Sequence, residues 1–154
     1  MSKRKKNIEE FFSKYEANFN SAMGGNESEV SEELQSAFSN CFVESSPVGV
    51  ICGQNNDEFV AKMKQVFQFY RTIGSKSMTI SSKDITLIDD FHASAKIYWH
   101  YTYIKDGNEG AIDFHNIYLL TTVNNELKIF AFIVGDEMKE LKAHGLIQEG
   151  VEVP

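Results

Sequence analysis

Polar and apolar residues alternate through three segments in the second half of the chain. The segments cover residues 92–103, 111–123 and 126–134, and all three are rich in β-branched and aromatic side chains. A glycine-containing loop separates the first two, and Asn124-Asn125 separates the last two. A period of two, broken by such residues, is typical of β-hairpins. The pattern predicts a three-stranded antiparallel meander.

Apolar residues recur at spacings of three and four in the first half, which is the pattern of amphipathic helices. Such stripes run through residues 8–23, 30–38 and 59–70. Glycines follow the first and third stripes, and glycine commonly ends a helix. An Asn-Asp pair at residues 56–57 can cap the third stripe. We expect three helices, the first two of which form a helical hairpin.

Shorter elements occupy the remaining segments. Residues 41–53 contain a central proline and glycine, which predicts two short strands around a turn. Residues 78–90 favour a strand with a bulge at Ser81–Ser82, and residues 135–145 favour a terminal helix. Helices followed by a run of strands are typical of α+β proteins. We therefore expect an α+β fold with helices packed on one face of a curved antiparallel sheet.

The chain has the length of one domain and contains neither a repeat nor a long linker. We place that domain at residues 7–146, between tails at residues 1–6 and 147–154. The N-terminal segment carries the basic run Lys3–Lys6. Short charged runs at a terminus are usually solvated, so we expect a disordered basic tail there.

The formal net charge is −7, and leaving out the four charges of the basic run makes it −11. An acidic body repels phosphate backbones, so we expect no nucleic-acid partner. No apolar run approaches the roughly 18 residues that a membrane span needs. The N-terminus also lacks the apolar segment of a signal peptide. We expect a cytoplasmic protein with no membrane partner.

The two cysteines, Cys41 and Cys52, lie outside any spacing typical of zinc ligands. Glycine-rich nucleotide motifs, nucleophile elbows and HExxH are also missing from the sequence. We therefore predict neither a metal site nor a cofactor. We expect two buried, reduced thiols. A bridge between them is the alternative if Ser46-Pro47 forms the tip of a hairpin.

Residues 42–53 (FVESSPVGVICG), residues 117–137 (IYLLTTVNNELKIFAFIVGDE) and the order of elements resemble the nuclear transport factor 2-like (NTF2-like) superfamily, in its SnoaL-like bacterial branch. The resemblance covers about residues 8–146. It implies a cone-shaped, cystatin-like α+β domain, in which the curved sheet wraps the first helix and leaves an apolar cavity open at one end. It also implies a homodimer that pairs through the outer face of the sheet.

The strand pairing predicts which side chains face that cavity. The Asn-Asn turn places Tyr118 opposite Ala131, and matching apolar residues aligns Trp99 with Asn116. The predicted ligand-binding residues are Tyr15, Phe19, Trp99, Tyr101, Phe114 and Asn116. The predicted dimer-interface residues, on the opposite face, are Tyr98, His100, His115, Ile117, Phe130 and Phe132. Asn116 is a polar group on an apolar surface, so either a ligand or a neighbouring protein group must satisfy its amide.

Bacterial ketosteroid isomerases of the same superfamily carry a Val-Glu-Asp-Pro-type motif whose Asp is the general base. The matching residues 43–47 read VESSP, with serine in place of that Asp. Serine is not a base near neutral pH, so isomerase activity would require Glu44 to take over. The isomerases also use a Tyr and a protonated Asp to hold an oxyanion, and Tyr15 and Asn116 match those positions. The catalytic candidates are thus Tyr15, Glu44 and His115.

Two hypotheses about function stay open on this sequence. In the first, a small hydrophobic molecule with a carbonyl or hydroxyl group enters the cavity. It is bound there or undergoes proton transfer of an isomerase-like, dehydratase-like or cyclase-like kind. In the second, the protein's own aromatic side chains fill the cavity, and the domain is a non-catalytic dimeric interaction or structural module.

Overall fold

The computed structural model describes residues 2–148, and its elements follow the predicted order. In chain order these are α1 (Lys3–Ser21), α2 (Glu27–Ser36), β1 (Phe38–Ser46), β2 (Gly49–Gln54), α3 (Asp57–Thr72), β3 (Ser75–Leu87), β4 (His92–Lys105), β5 (Asn108–Val123), β6 (Glu126–Ile133) and α4 (Glu137–Ala143). The α+β fold class is confirmed.

The basic run Lys3–Lys6 forms the first turn of α1 and is not a disordered tail. Ser2 caps this turn, because its hydroxyl accepts a hydrogen bond from the Lys5 backbone N–H at 3.2 Å. The cap satisfies one of the free donors of the helix end. The apolar stripe of α1 then continues the same helix into the core through Ile8 and Phe12, which are almost completely buried.

Glycines define how the helices end and turn. Residues 22–26 form a π-helical turn in which Gly25 has φ 108°, and this turn reverses the chain between α1 and α2. Gly74, with φ 82°, follows α3. At its N-terminus α3 has the predicted cap, since the Asn56 side chain accepts from the Phe59 N–H at 3.1 Å. No helix within residues 2–148 is both long and apolar enough to cross a membrane.

The six strands form one sheet in the order β2-β1-β6-β5-β4-β3. Every neighbouring pair is antiparallel except β1 and β6, which run parallel. The helices cover one face, here called the inner face, and the opposite face is called the outer face. Inner-face residues of β4 alternate strictly with less buried ones, from Ala93 to Tyr103. This alternation is the period of two that the sequence shows.

The pairing of β4 with β5 differs from the prediction by two residues. Trp99 lies opposite Phe114, and Ile97, not Trp99, lies opposite Asn116. A two-residue turn at Asp106–Gly107 sets this register, because both residues have positive φ, 52° and 79°. An even shift leaves every side chain on its predicted face.

A bulge at Phe130 changes the faces of the last strand. The predicted pairing holds from Val123–Glu126 to Leu120–Ile129, and then Phe130 is left over as an extra residue. Tyr118 consequently pairs with Phe132 and not with Ala131. The prediction that Phe132 belongs to the outer face is therefore wrong. Its ring stacks on Tyr118 at 6.2 Å on the inner face.

The two cysteines are exposed, contrary to the expectation of buried thiols. Cys52 lies opposite Val43, whereas Cys41 lies opposite Gln54. The thiols are thus diagonal neighbours on the outer face, and both are free.

The predicted C-terminal tail at residues 147–154 begins with a buried residue, since Ile147 is 9% exposed and belongs to the core. Residues 149–154 lie outside the described part of the chain.

Candidate ligand-binding cavity

A cavity of about 610 Å³ lies between the helices and the inner face of the sheet. All six residues predicted to face it do line it: Tyr15, Phe19, Trp99, Tyr101, Phe114 and Asn116. Its wall also includes six residues that were not predicted: Phe38, Val66, Tyr70, Met78, Tyr118 and Phe132. The cavity is therefore open space beside the aromatic core, and the protein's own side chains do not fill it.

The mouth of the cavity exists because β6 is shorter than β5. β6 ends at Ile133, opposite Ile117, so residues 108–116 of β5 pair with β4 alone. The chain after β6 then turns into α4, and residues 134–137 line the cavity. An opening is left between the free edge of β5 and α4.

Tyr15 of α1 stands at the centre of the aromatic wall. Its ring centroid lies 6.2 Å from those of Phe19 and Tyr118 and 6.4 Å from that of Trp99. Burial raises the pKa of Tyr15 well above its usual value, and the nearby Tyr118 and Glu44 raise it further. The hydroxyl forms no hydrogen bond with another residue in the range 2–148. It is thus a neutral donor that is free to meet a ligand.

Trp99 provides a second donor beside Tyr118. Its indole Nε1 is buried and forms no hydrogen bond of ordinary geometry among the described residues, but it lies close enough to the Tyr118 hydroxyl to lower the pKa of that group. The Asn116 amide donates to the Tyr118 hydroxyl at 3.3 Å, so a neighbouring hydroxyl supplies part of its hydrogen bonding. Burial raises the pKa of Tyr118, while the Asn116 amide and the nearby Trp99 N–H lower it.

Glu137, at the start of α4, is a titratable group of the cavity that the sequence did not reveal. The Tyr70 hydroxyl of α3 donates a hydrogen bond to its Oε1. Burial of the carboxyl raises the pKa of Glu137, the bond from Tyr70 lowers it, and the charge of Glu44 raises it. The residue is exposed at the cavity mouth, and its carboxyl group is partly buried against Tyr70. Residues 135–140 (GDEMKE) have the pattern of an ordinary helix N-terminus. The position of the Glu137 carboxyl at the cavity therefore follows only from the tertiary structure.

Glu44, a predicted catalytic candidate, lies on the inner face of β1 opposite Phe132. Burial raises the pKa of Glu44, and the charge of Lys62 lowers it. Because Glu44 raises the pKa of both Tyr15 and Glu137, its charge acts on the cavity. Glu137 thus lines the aromatic cavity, and the charge of Glu44 acts on it from β1.

The family that matches this sequence agrees with the observed fold. The profile of a family described as NTF2-like protein (DUF6841) matches residues 4–137. The chain belongs to this NTF2-like family. No curated protein matches the sequence.

Solved structures share the NTF2-like fold at low sequence identity. An NTF2-like protein with a cystatin-like fold from Novosphingobium aromaticivorans has 14% identity and a TM-score of 0.66, covering 94% of this chain and 88% of that one. Aln2 from a Streptomyces species has 12% identity and a TM-score of 0.65, covering 93% and 98%. An NTF2-like superfamily protein from Salmonella enterica serovar Typhimurium has 14% identity and a TM-score of 0.58, covering 84% of this chain and 87% of that one. At such identities the likeness shows the fold alone.

His115, the third catalytic candidate, is not brought together with Tyr15 in this NTF2-like domain. Its side chain packs on Tyr98 across the outer face, with ring centroids 5.7 Å apart, while the residue borders the cavity mouth. If the predicted register of β4 on β5 had been wrong by one residue, His115 would lie on the inner face. The actual shift is two residues, so it stays outside.

The outer face of the NTF2-like sheet keeps most of the residues predicted for a dimer interface. His100 Nδ1 lies 2.6 Å from Asp113 Oδ1, and the Phe130 ring lies 6.0 Å from that of His92. Tyr98, His100, His115 and Ile117 share this face, and Phe132 does not. Val43 and Ile133 add exposed apolar surface beside them, 37% and 46% accessible.

Proposed function

We propose that this NTF2-like protein binds a small, largely apolar molecule in the cavity behind Trp99, through a carbonyl or hydroxyl group on that molecule. The observation that carries the proposal is an open aromatic cavity whose wall holds a few polar groups, among them Tyr15 and Asn116. Small-molecule sites usually have volumes of about 300–1,000 Å³ and mostly apolar linings with a few polar groups. The cavity, at about 610 Å³, has these properties.

The donors on the wall account for the oxygen on the ligand. Trp99 Nε1 can only donate, and it lies beside the Tyr118 hydroxyl on the cavity wall. The Tyr15 hydroxyl, free of partners within residues 2–148, can donate to a ligand carbonyl or hydroxyl oxygen. An apolar molecule that carried no acceptor would leave the Tyr15 hydroxyl without a hydrogen bond, at a cost of about 1–3 kcal/mol.

Proton transfer is the chemistry that the cavity supports. Its titratable lining residues include Glu137, which is held by Tyr70, and the charge of Glu44 on β1 acts on Glu137. A carboxyl whose pKa is raised toward neutrality by burial serves as a general acid or base. Isomerase-like, dehydratase-like and cyclase-like reactions all require such a group.

The experiment uses Trp99 as a reporter, because it is the only tryptophan of the chain. Native mass spectrometry of purified protein should reveal a co-purifying small molecule, and its removal should change the Trp99 fluorescence. Asn116→Leu and Tyr15→Phe should weaken rebinding of that molecule by about tenfold. The matched control is Tyr98→Phe, since Tyr98 lies on the outer face. Equal affinities in all variants would show that the molecule binds elsewhere.

A second function, homodimerisation through the outer face, is favoured by a different observation. Large apolar side chains on that face are accessible to solvent: Val43 is 37% exposed, Ile133 46% and Val50 66%. Contiguous exposed apolar surface commonly marks a protein interface. We propose that a second copy of this chain covers it.

A further inference from the structure

The carboxyl groups of Asp113, Asp136, Glu137 and Glu140 line the cavity, with Lys139 beside them. The ion pairs within residues 2–148 join other groups, and neither Glu44 nor Glu137 takes part in one. Glu137 has a single side-chain donor, the Tyr70 hydroxyl. Glu137 is thus an exposed carboxylate at the cavity mouth without an ion-pair partner among the described residues, on a lining where four carboxyl groups accompany one lysine. The cavity mouth is net acidic and suits a cationic ligand.

Aromatic rings line the cavity beside this acidic mouth. Phe19 and Tyr70 lie 6.2 Å apart between ring centroids, Tyr70 and Tyr101 6.1 Å, and Phe19 and Trp99 6.2 Å. The faces of aromatic rings attract cations, most strongly where water is excluded. An apolar body carrying one positive charge fits both the rings and the carboxyl.

We propose that the ligand carries a protonated amine, which pairs with the Glu137 carboxylate while its apolar body occupies the aromatic cavity. This inference rests on the proposed function, because it names the class of molecule that the same cavity binds. The net charge of −7 favours the approach of a cation and disfavours an anion. Tyr70 is then a positioning residue, which orients the carboxyl toward the cavity.

The groups around Glu137 determine how binding depends on pH. They are Tyr70 on α3, Tyr101 on β4, Tyr118 on β5, Glu44 on β1, the α4 cap residue Asp136, and Lys139 and Glu140 on α4, with Asp113 and His115 at the mouth. Lys62 acts on Glu44 from α3. The ammonium requires an ionised carboxyl, so its affinity should rise as pH rises through the titration of Glu137. The affinity of a neutral ligand should not follow that rise.

Three probes of one shape test the proposal: adamantylmethylamine, adamantylmethanol and adamantanecarboxylate. All are transparent where tryptophan absorbs, so Trp99 fluorescence reports their binding. Near neutral pH the ammonium should bind at least about tenfold more tightly than the alcohol, and the carboxylate should bind most weakly. Equal or tighter binding of the alcohol would overturn the proposal while leaving the proposed function intact. Failure of all three probes to bind would overturn the proposed function itself.

Variants assign the charge preference to Glu137. Glu137→Gln should weaken ammonium binding about tenfold and change alcohol binding less than about threefold. The matched control is Glu32→Gln, since Glu32 is exposed on α2 and makes the same change in net charge. Tyr70→Phe should shift the onset of ammonium binding to higher pH, because the bond from Tyr70 lowers the pKa of Glu137. A Glu137→Gln protein that keeps the ammonium preference would contradict the assignment.

Discussion

Single residues in this NTF2-like protein differ in how well their roles can be predicted from the sequence. Trp99 and Tyr15 were recognisable as cavity residues, because they lie at the inner-face positions of a strand and a helix. Glu137 was not, since a glutamate at the start of a helix is ordinary. Its position became meaningful only when the fold placed Tyr70 against its carboxyl. The polar chemistry of the cavity thus comes from residues distant in sequence.

The raised pKa of Glu137 predicts a stability effect with a definite sign. The folded protein holds this proton more tightly than the unfolded chain does. The stability from the protonated group is complete below the ordinary pKa of 4.5 and is lost as pH rises through the folded pKa. The Glu137→Gln variant has a neutral side chain at every pH, so it does not lose this stability as pH rises. It should melt at a higher temperature than the parent near pH 8 and close to the parent temperature near pH 4, by calorimetry.

A contrasting variant checks that sign. The pKa of Glu109 is lowered by its hydrogen bond from Lys76, so its contribution is present above the unfolded pKa and is lost as pH falls. Glu109→Gln should therefore lower the melting temperature near pH 8, and only slightly because both partners are exposed. A melting difference for Glu137→Gln that does not change with pH would contradict the prediction.

At the scale of elements, turns and bulges decide the register. The Asn124-Asn125 turn was correctly predicted, and both residues have positive φ. Asp106–Gly107 is an equally good signal for a two-residue turn. In the sequence it lies within residues 104–110, which were predicted to form one longer loop. The bulge at Phe130 has no comparable signal, because the residues around it are uniformly apolar. One extra residue there moved Phe132 from the outer to the inner face.

Gly74 allows α3 to pass directly into β3, and its replacement tests this junction. A Cβ at Gly74 would lie 2.2 Å from the Ile104 carbonyl oxygen, on a backbone with φ 82°. The Gly74 carbonyl also accepts a hydrogen bond from the Ile104 N–H at 2.9 Å. Gly74→Ala should lower the free energy of unfolding by about 1–3 kcal/mol, measured by chemical denaturation.

The control for this junction is Gly24→Ala, in the turn between α1 and α2. A Cβ there would meet nothing within 4 Å. This change should leave the free energy of unfolding within about 1 kcal/mol of the parent value. A similar loss in both variants would show that the backbone conformation at Gly74 is not the cause.

At the scale of the whole molecule, the sheet has two faces with different surroundings. The inner face meets the helices and the cavity, whereas the outer face carries exposed apolar side chains and the His100–Asp113 contact. Val43, Val50 and Ile133 on that outer face are exposed in the single chain. The homodimer is the arrangement that we propose for it.

Sedimentation at micromolar concentration tests the dimer. The parent protein should sediment as a dimer, and Ile117→Arg should shift it to monomer, because a charge would be buried in the interface. The control is Thr86→Arg, since Thr86 is exposed on β3 at the edge of the same face, pairs with Ser94 and lies away from the apolar group. A parent protein that sediments as a monomer would contradict the proposal.

The sequence by itself determined the fold class, the order of the elements and the face of most strand residues. These follow from local periodicity, which each segment carries on its own. Only the tertiary structure decided the register of β4 on β5, the face of Phe132 and the arrival of Glu137 beside Tyr70. Such features depend on how many residues each turn and bulge contributes between paired strands. Adding or removing one residue there changes which side chains meet. The aromatic wall was therefore predictable, and the carboxyl site beside it was not.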